Sequence, residues 1–393
     1  MRRSLVVLVA LLSSATIGIT GSSTNPARAD DLVAHEWGTF TSIAGGDGTA
    51  EEWLPLGGPP DLPCFVEHLS LDLKGGLYGT VRMETPVLYF YAPRDTRASV
   101  SVRFNQGMVT EWFPRADVTP TIVKPDDARR MPHNDFAGTI TWPAVTIHAA
   151  RDASFRHDGS GSHYYVARDT EASPLTIDAE REKFLFYRGV GAFQPPLAAV
   201  ASDNGGAIVR SRMDAPVGTV MLFENRGGRI GYRLVDTMAR EVTFGPLVLE
   251  GETAPAHREL QHALTAHGLY AQEADAMIRT WQDSWFEEGT RLFYIVPRQA
   301  VDDILPLAIT PAPAALTRVF VGRIELFTPA TLQTVEQALA ANDQDTLIKY
   351  ERFLPSIVRR LVPRANAAQR SQWARAIEQT ARAVARTQPA VCR

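Results

Sequence analysis

The stretch VGTVMLFENRGGRIGYRLVD, residues 217–236, decides the fold class. Two runs rich in β-branched and aromatic residues flank Asn225-Arg226-Gly227-Gly228, which is turn chemistry at the tip of a β-hairpin. Working outward, the same signal recurs. VRMETPVLYFY (81–91) reads as a strand. RASVSVRFNQGMVTEWF (97–113) reads as a second hairpin, with Val100, Val102 and Phe104 alternating with polar residues and Asn105-Gln106-Gly107 as its turn. AGTITWPAVTIHAA (137–150), HYYVAR (163–168) and KFLFYRG (183–189) supply further strands. Many short strands separated by Gly, Pro and Asp predict sandwich-like antiparallel sheets. The pattern changes after residue 252. APAHRELQHALTAHG predicts a helix ending at Gly268, and AQEADAMIRTWQDSWFEEG one ending at Gly289. Strands RLFYIVP (291–297) and TRVFVGRIELF (317–327) follow. Thr328-Pro329 then opens a helix, and the chain closes on an Ala/Arg-rich helical stretch. The expected organisation is a signal peptide over 1–29, a β-rich sandwich-like domain over 30–252, and an α+β, mainly helical domain over 253–393.

The leader rests on Arg2 and Arg3, a short apolar run from Leu5 to Leu12, and Ala27-x-Ala29 before Asp30. That run is too short for a comfortable membrane span, which needs about 20 residues, and no later segment supplies one. The mature chain is therefore expected in the periplasm or outside the cell, with no transmembrane span. Loss of the leader removes three arginines and no acids, which takes the net charge from −4 to −7. Residues 349–393 carry ten Lys or Arg against Glu351 and Glu378, so a basic end sits on an acidic chain. Cys64 and Cys392 are the two cysteines, and one disulfide between them suits an exported protein. Spacing alone leaves that pairing open. An apolar share of 45% fits a packed globule and argues against wholesale disorder.

Candidate chemistry is dispersed. In AHEWGTFTS (34–42) strand alternation puts His35, Trp37, Thr39 and Thr41 on one face and Glu36, Gly38 and Phe40 on the other. His35 and Glu36 therefore cannot form a dyad on a regular strand. His35 is read either as a structural histidine or as a ligand or base in a cleft. Glu84 is placed on one face with Pro86, Leu88 and Phe90, and Arg188 with Phe184 and Phe186. A buried Glu84–Arg188 ion pair would satisfy both, and the catalytic reading makes Glu84 a general acid. Metal-ligand spacing is weak throughout. The candidates are His35, His133, His163 and Asp47, which would have to converge from different loops around a divalent ion. SWFEEGTRLFY (284–294) resembles the W-x-x-E-G segment of gluzincin metallopeptidases, but HRELQH (257–262) lacks the HExxH spacing. Nucleophile-elbow, phosphate-loop and dinucleotide signatures are absent.

Taken in order, HEWGTFTS, METPVLYFY and EKFLFYRGVG resemble segments shared by a group of secreted bacterial proteins with no established activity. The resemblance implies a shared fold and carries over no catalytic residue. The expected function is a non-catalytic ligand-binding or cell-envelope-associated protein. Its partner would be a glycan, a lipid or an envelope protein rather than nucleic acid, bound through loops 44–63 and 114–136. The competing reading is a metal-assisted hydrolase.

Overall fold

The 217–236 hairpin is present in the computed structural model, which describes residues 28–57, 61–73 and 76–385. Strands Val217–Arg226 and Arg229–Met238 pair antiparallel around Gly227 and Gly228, whose φ values of 61° and 79° only glycine adopts without strain. The leader predicted over 1–29 lies, through residue 27, outside the described residues, and so does Cys392. Cys64 itself is held in a disulfide.

The hairpin forms one edge of a nine-stranded sheet. Its order is 229–238, 217–226, 289–295, 312–326, 28–43, 81–91, 185–191, 107–113, 67–68. All neighbours are antiparallel except strands 28–43 and 312–326 at the centre, which run parallel. A six-stranded sheet, ordered 180–182, 175–177, 137–147, 96–105, 307–310, with 117–119 also paired to 137–147, packs on one face of it through Phe40, Phe90, Phe104 and Trp142. Helices Thr253–Ala266 and Ala271–Trp285 cover the other face through Trp37, Tyr89, Phe223 and Trp281. A third cluster around Ile43, Trp53 and Phe327 lies where the two central strands end, beneath the helices of 329–385. The fold is mostly β with sandwich-like antiparallel sheets, and its long helices come after residue 252. Among the described residues no helix is long and apolar enough to cross a membrane.

Four expectations need correction. The boundary at 252 does not separate sheets. Strands 289–295 and 312–326 sit inside the large sheet, and 307–310 completes the second one. RLFYI and VFVGRIEL are continuously buried runs, the mark of strands covered on both faces. The 97–113 segment is no hairpin. Gln106, at φ 54°, turns the chain from one sheet into the other, so strands 96–105 and 107–113 belong to different layers. HYYVAR is a 3-10 helix, His163–Arg168, because the Ser162 hydroxyl accepts from Tyr164 N and caps it. The second helix ends at Trp285, and Gly289 opens the following strand.

Candidate functional site

The alternation read from AHEWGTFTS holds, and it places His35 under helix Ala271–Trp285. The His35 imidazole Nδ1 lies 2.8 Å from Glu273 Oε2. Tyr91 donates its hydroxyl to Glu273 Oε1 at 2.7 Å, and Tyr270 N donates to Oε2 at 2.8 Å. His35 is 4% exposed and Glu273 fully buried, so this face is core rather than cleft. Glu36, on the opposite face, accepts from Tyr187 and from Arg318 Nε.

Strand 81–91 carries the decisive irregularity. Trp37 pairs with Val87 and Thr39 with Glu84, so the single residue Gly38 faces two residues of the other strand. The extra residue falls at Thr85-Pro86, where proline has no N–H for the ladder. The bulge reverses the side-chain alternation. Leu88 and Phe90 face the second sheet, whereas Glu84 shares the helix-covered face with Thr41, whose hydroxyl donates to it at 3.0 Å. Glu84 is thus not on the face of Leu88 and Phe90.

That face opens into a cavity of about 400 Å³. Strand 81–91 brings Arg82 and Glu84, strand 185–191 brings Phe186 and Arg188, and helix 271–285 brings Thr280 and Trp281. The loop at 61 adds Asp61, and the carboxy-terminal helices add Lys349 and Arg352. Glu84 and Arg188 do meet here, but with other partners than each other. Arg188 grips Asp61 with two hydrogen bonds of 2.7 Å. Glu84 pairs with Arg352 and, at 3.6 Å, with Arg82.

Three guanidiniums therefore converge on an inner wall around Glu84, with the partly buried Glu287 also in the lining. Asp61 is half-exposed, at 51%. The electrostatics follow. Burial, and then the neighbouring charge of Arg188, push the pKa of Arg82 down. Burial and the charge of Arg82 push Arg352 down to about 9. Burial also opposes the charge on Arg188, but Asp61 overcomes it and holds the pair ionised, with the Asp61 carboxyl well below its ordinary range. Two Nε–H groups make no hydrogen bond within the described residues: that of Arg82, which stands 3.6 Å from Glu84 Oε1, and that of Arg352. Beside them, Thr280 Oγ1 and Trp281 Nε1 are also without a partner. Each such buried group costs about 1–3 kcal/mol until it finds an acceptor.

The metal candidates stay apart. Asp47 lies in an exposed turn and accepts from Thr49 N and Oγ1 at 3.0 and 2.7 Å. His133 is exposed on the 114–136 loop. His163 stands at the cavity rim, 3.3 Å from Asp283. Among the described residues no three His, Cys, Asp or Glu side chains are grouped to hold a metal ion. Glu288, the glutamate of the W-x-x-E-G segment, accepts from Gly227 N at the hairpin tip. Tyr164 and Trp53 are core residues, and Tyr165 stacks on His157 at 3.8 Å.

Of the residues singled out in the sequence, Glu84, Arg188 and His163 line this cavity, and Arg82, Asp61, Thr280, Trp281 and Arg352 line it without having been singled out. Arg82 had a signal, two charged residues at i and i+2 before a proline inside a strand. Arg352 had none.

No protein-family model and no curated protein matches the chain. Among solved structures, the chain is similar to the zebrafish Fcho1 Mu homology domain with bound Eps15 peptide, at TM-score 0.30 and 6% identity, covering 75% of this chain and 96% of that one. It is also similar to the yeast delta-COP-I mu-homology domain complexed with a Dsl1 WxWxV peptide, at TM-score 0.28 and 8% identity, covering 76% and 96%. Likeness of this size carries no argument about activity or partner.

Proposed function

We infer that this is an exported ligand-binding protein whose cavity takes a small, acceptor-rich anion, such as a carboxylate-bearing sugar or an oxoanion ester. One observation carries the reading. Arg82 and Arg352 share a cavity wall, their charged forms disfavoured by burial and by like charge, and each keeps a donor unfilled. The unpartnered polar atoms named at the Arg82–Arg352 wall can all donate, and an anion bound there would supply their acceptors and relieve the repulsion between guanidiniums, while Asp283, Glu287 and Glu351 line the rest of the cavity. A volume of about 400 Å³ suits a small ligand. Export is supported by the leader pattern and by the disulfide at Cys64.

Calorimetric titration with phosphate, citrate and galacturonate tests the assignment. At least one is expected to bind, with affinity falling tenfold or more in Arg352→Gln. If none of the three gives a saturable isotherm, or if Arg352→Gln leaves the affinity unchanged, the reading fails.

A further inference from the structure

A second cavity, of about 370 Å³, opens where strand 289–295 stops, two residues before Pro297, while its neighbours 217–226 and 312–326 run on past it. Its lining holds Arg298, Arg318 and His267 and no carboxylate, with Ile295, Val296, Leu316 and Val319 as an apolar wall. Arg318 has a side chain only 1% exposed. Its Nε goes to Glu36 and its Nη1 to Asp302 at 2.7 Å, and Nη2 has no partner among the described residues. Arg298 is fixed at the wall by Asp302 at 2.7 Å and Leu316 O at 3.1 Å. His267 follows helix Thr253–Ala266 and donates its Nδ1–H to Ala263 O at 2.8 Å. That carbonyl also accepts from His267 N at 3.1 Å, and the two bonds hold the ring with Nε2 toward the cavity. Residue 218 is glycine, and a Cβ there would come within 3.0 Å of that Nε2.

We propose that this cavity is a second ligand site, for a small molecule with one carboxylate on an apolar body. The carboxylate takes the free Nη2 donor of Arg318, with Arg298 beside it, and the body lies on the aliphatic wall. The proposal is independent of the first cavity: it rests on a different arginine, strand end and helix.

The probe is 4-bromobenzoate, with neutral 4-bromobenzamide as its control. In crystals soaked with the acid, the bromine anomalous peak is expected among Val296, Leu316 and Val319. In solution the acid is expected to bind, the amide at least tenfold more weakly. Gly218→Ala, which narrows the cavity without touching the Glu36–Arg318 pair, is expected to lower affinity for the acid at least fivefold. Arg318→Lys, which keeps the charge and loses Nη2, is expected to do the same; if that variant does not fold, Gly218→Ala decides. A peak in the first cavity only, no peak, a peak without binding in solution, or equal affinity for acid and amide would overturn the proposal. Failure of the anion titration in the first cavity would leave these outcomes unaffected.

Discussion

At Glu273 three donors meet, from His35, Tyr91 and the backbone of Tyr270, and the carboxylate is fully buried among them. His35 therefore anchors helix 271–285 to the central strand. Glu273→Ala would strand all three groups, at a cost of about 3–5 kcal/mol, to be read as a lower urea midpoint. A loss under 1 kcal/mol would contradict the anchor. Glu287 behaves differently. Burial raises its pKa, against the pull of Arg323 and Arg291. A carboxyl whose folded pKa lies above its unfolded value near 4.5 loses stability for the fold as pH rises through that interval, and the cost persists above it. Glu287→Gln, still able to accept from Arg323 Nη2, is therefore expected to melt higher than the parent at pH 7 and level with it below about pH 4. A lower melting temperature for the variant at pH 7 would contradict this. The face His35 occupies was legible from a period of two. Its partner, 238 residues away, was not, because nothing local to AHEWGTFTS encodes which helix lies above.

The elements show where local rules stop. The hairpin at 217–236 was readable because its turn chemistry and both strands are contiguous. The 97–113 segment carries the same signals, yet its turn passes the chain between layers, a choice made by sheets closing at long range. Strand 81–91 has the right bounds and, beyond its bulge, the reversed facing. Pro86 was the clue, since a proline inside a strand marks an edge or a bulge. Deleting Thr85 would restore regular alternation and swing Arg82 and Glu84 toward Leu88 and Phe90. The expected result is loss of the near-ultraviolet circular-dichroism signal, as two charges enter an apolar layer. A folded deletion variant that still binds an anion would contradict the role given to the bulge.

For the whole molecule, sequence composition located the change from strands to helices but not the return of the chain into its first sheet. Strands 289–295 and 312–326 lie between 217–226 and 28–43, so residues on both sides of 252 share one set of backbone hydrogen bonds. Calorimetry is expected to show one cooperative transition for the intact chain, with matching calorimetric and van't Hoff enthalpies. Two resolved transitions would contradict the shared sheet. The same closure builds the first cavity. Arg82 comes from an early strand, Trp281 from a helix packed over it, and Arg352 from the carboxy-terminal helices, three segments that only the complete fold brings together.

The most direct test of the account is to watch those arginines. In nitrogen-15 spectra, the Nε–H signals of Arg82 and Arg352 can be assigned by their disappearance in Arg82→Lys and Arg352→Lys. On titration with the anion that binds most tightly, both are expected to move downfield and saturate together, as each gains a charged acceptor. If both stay in place while the anion binds, it binds elsewhere, and the cavity is not the ligand site.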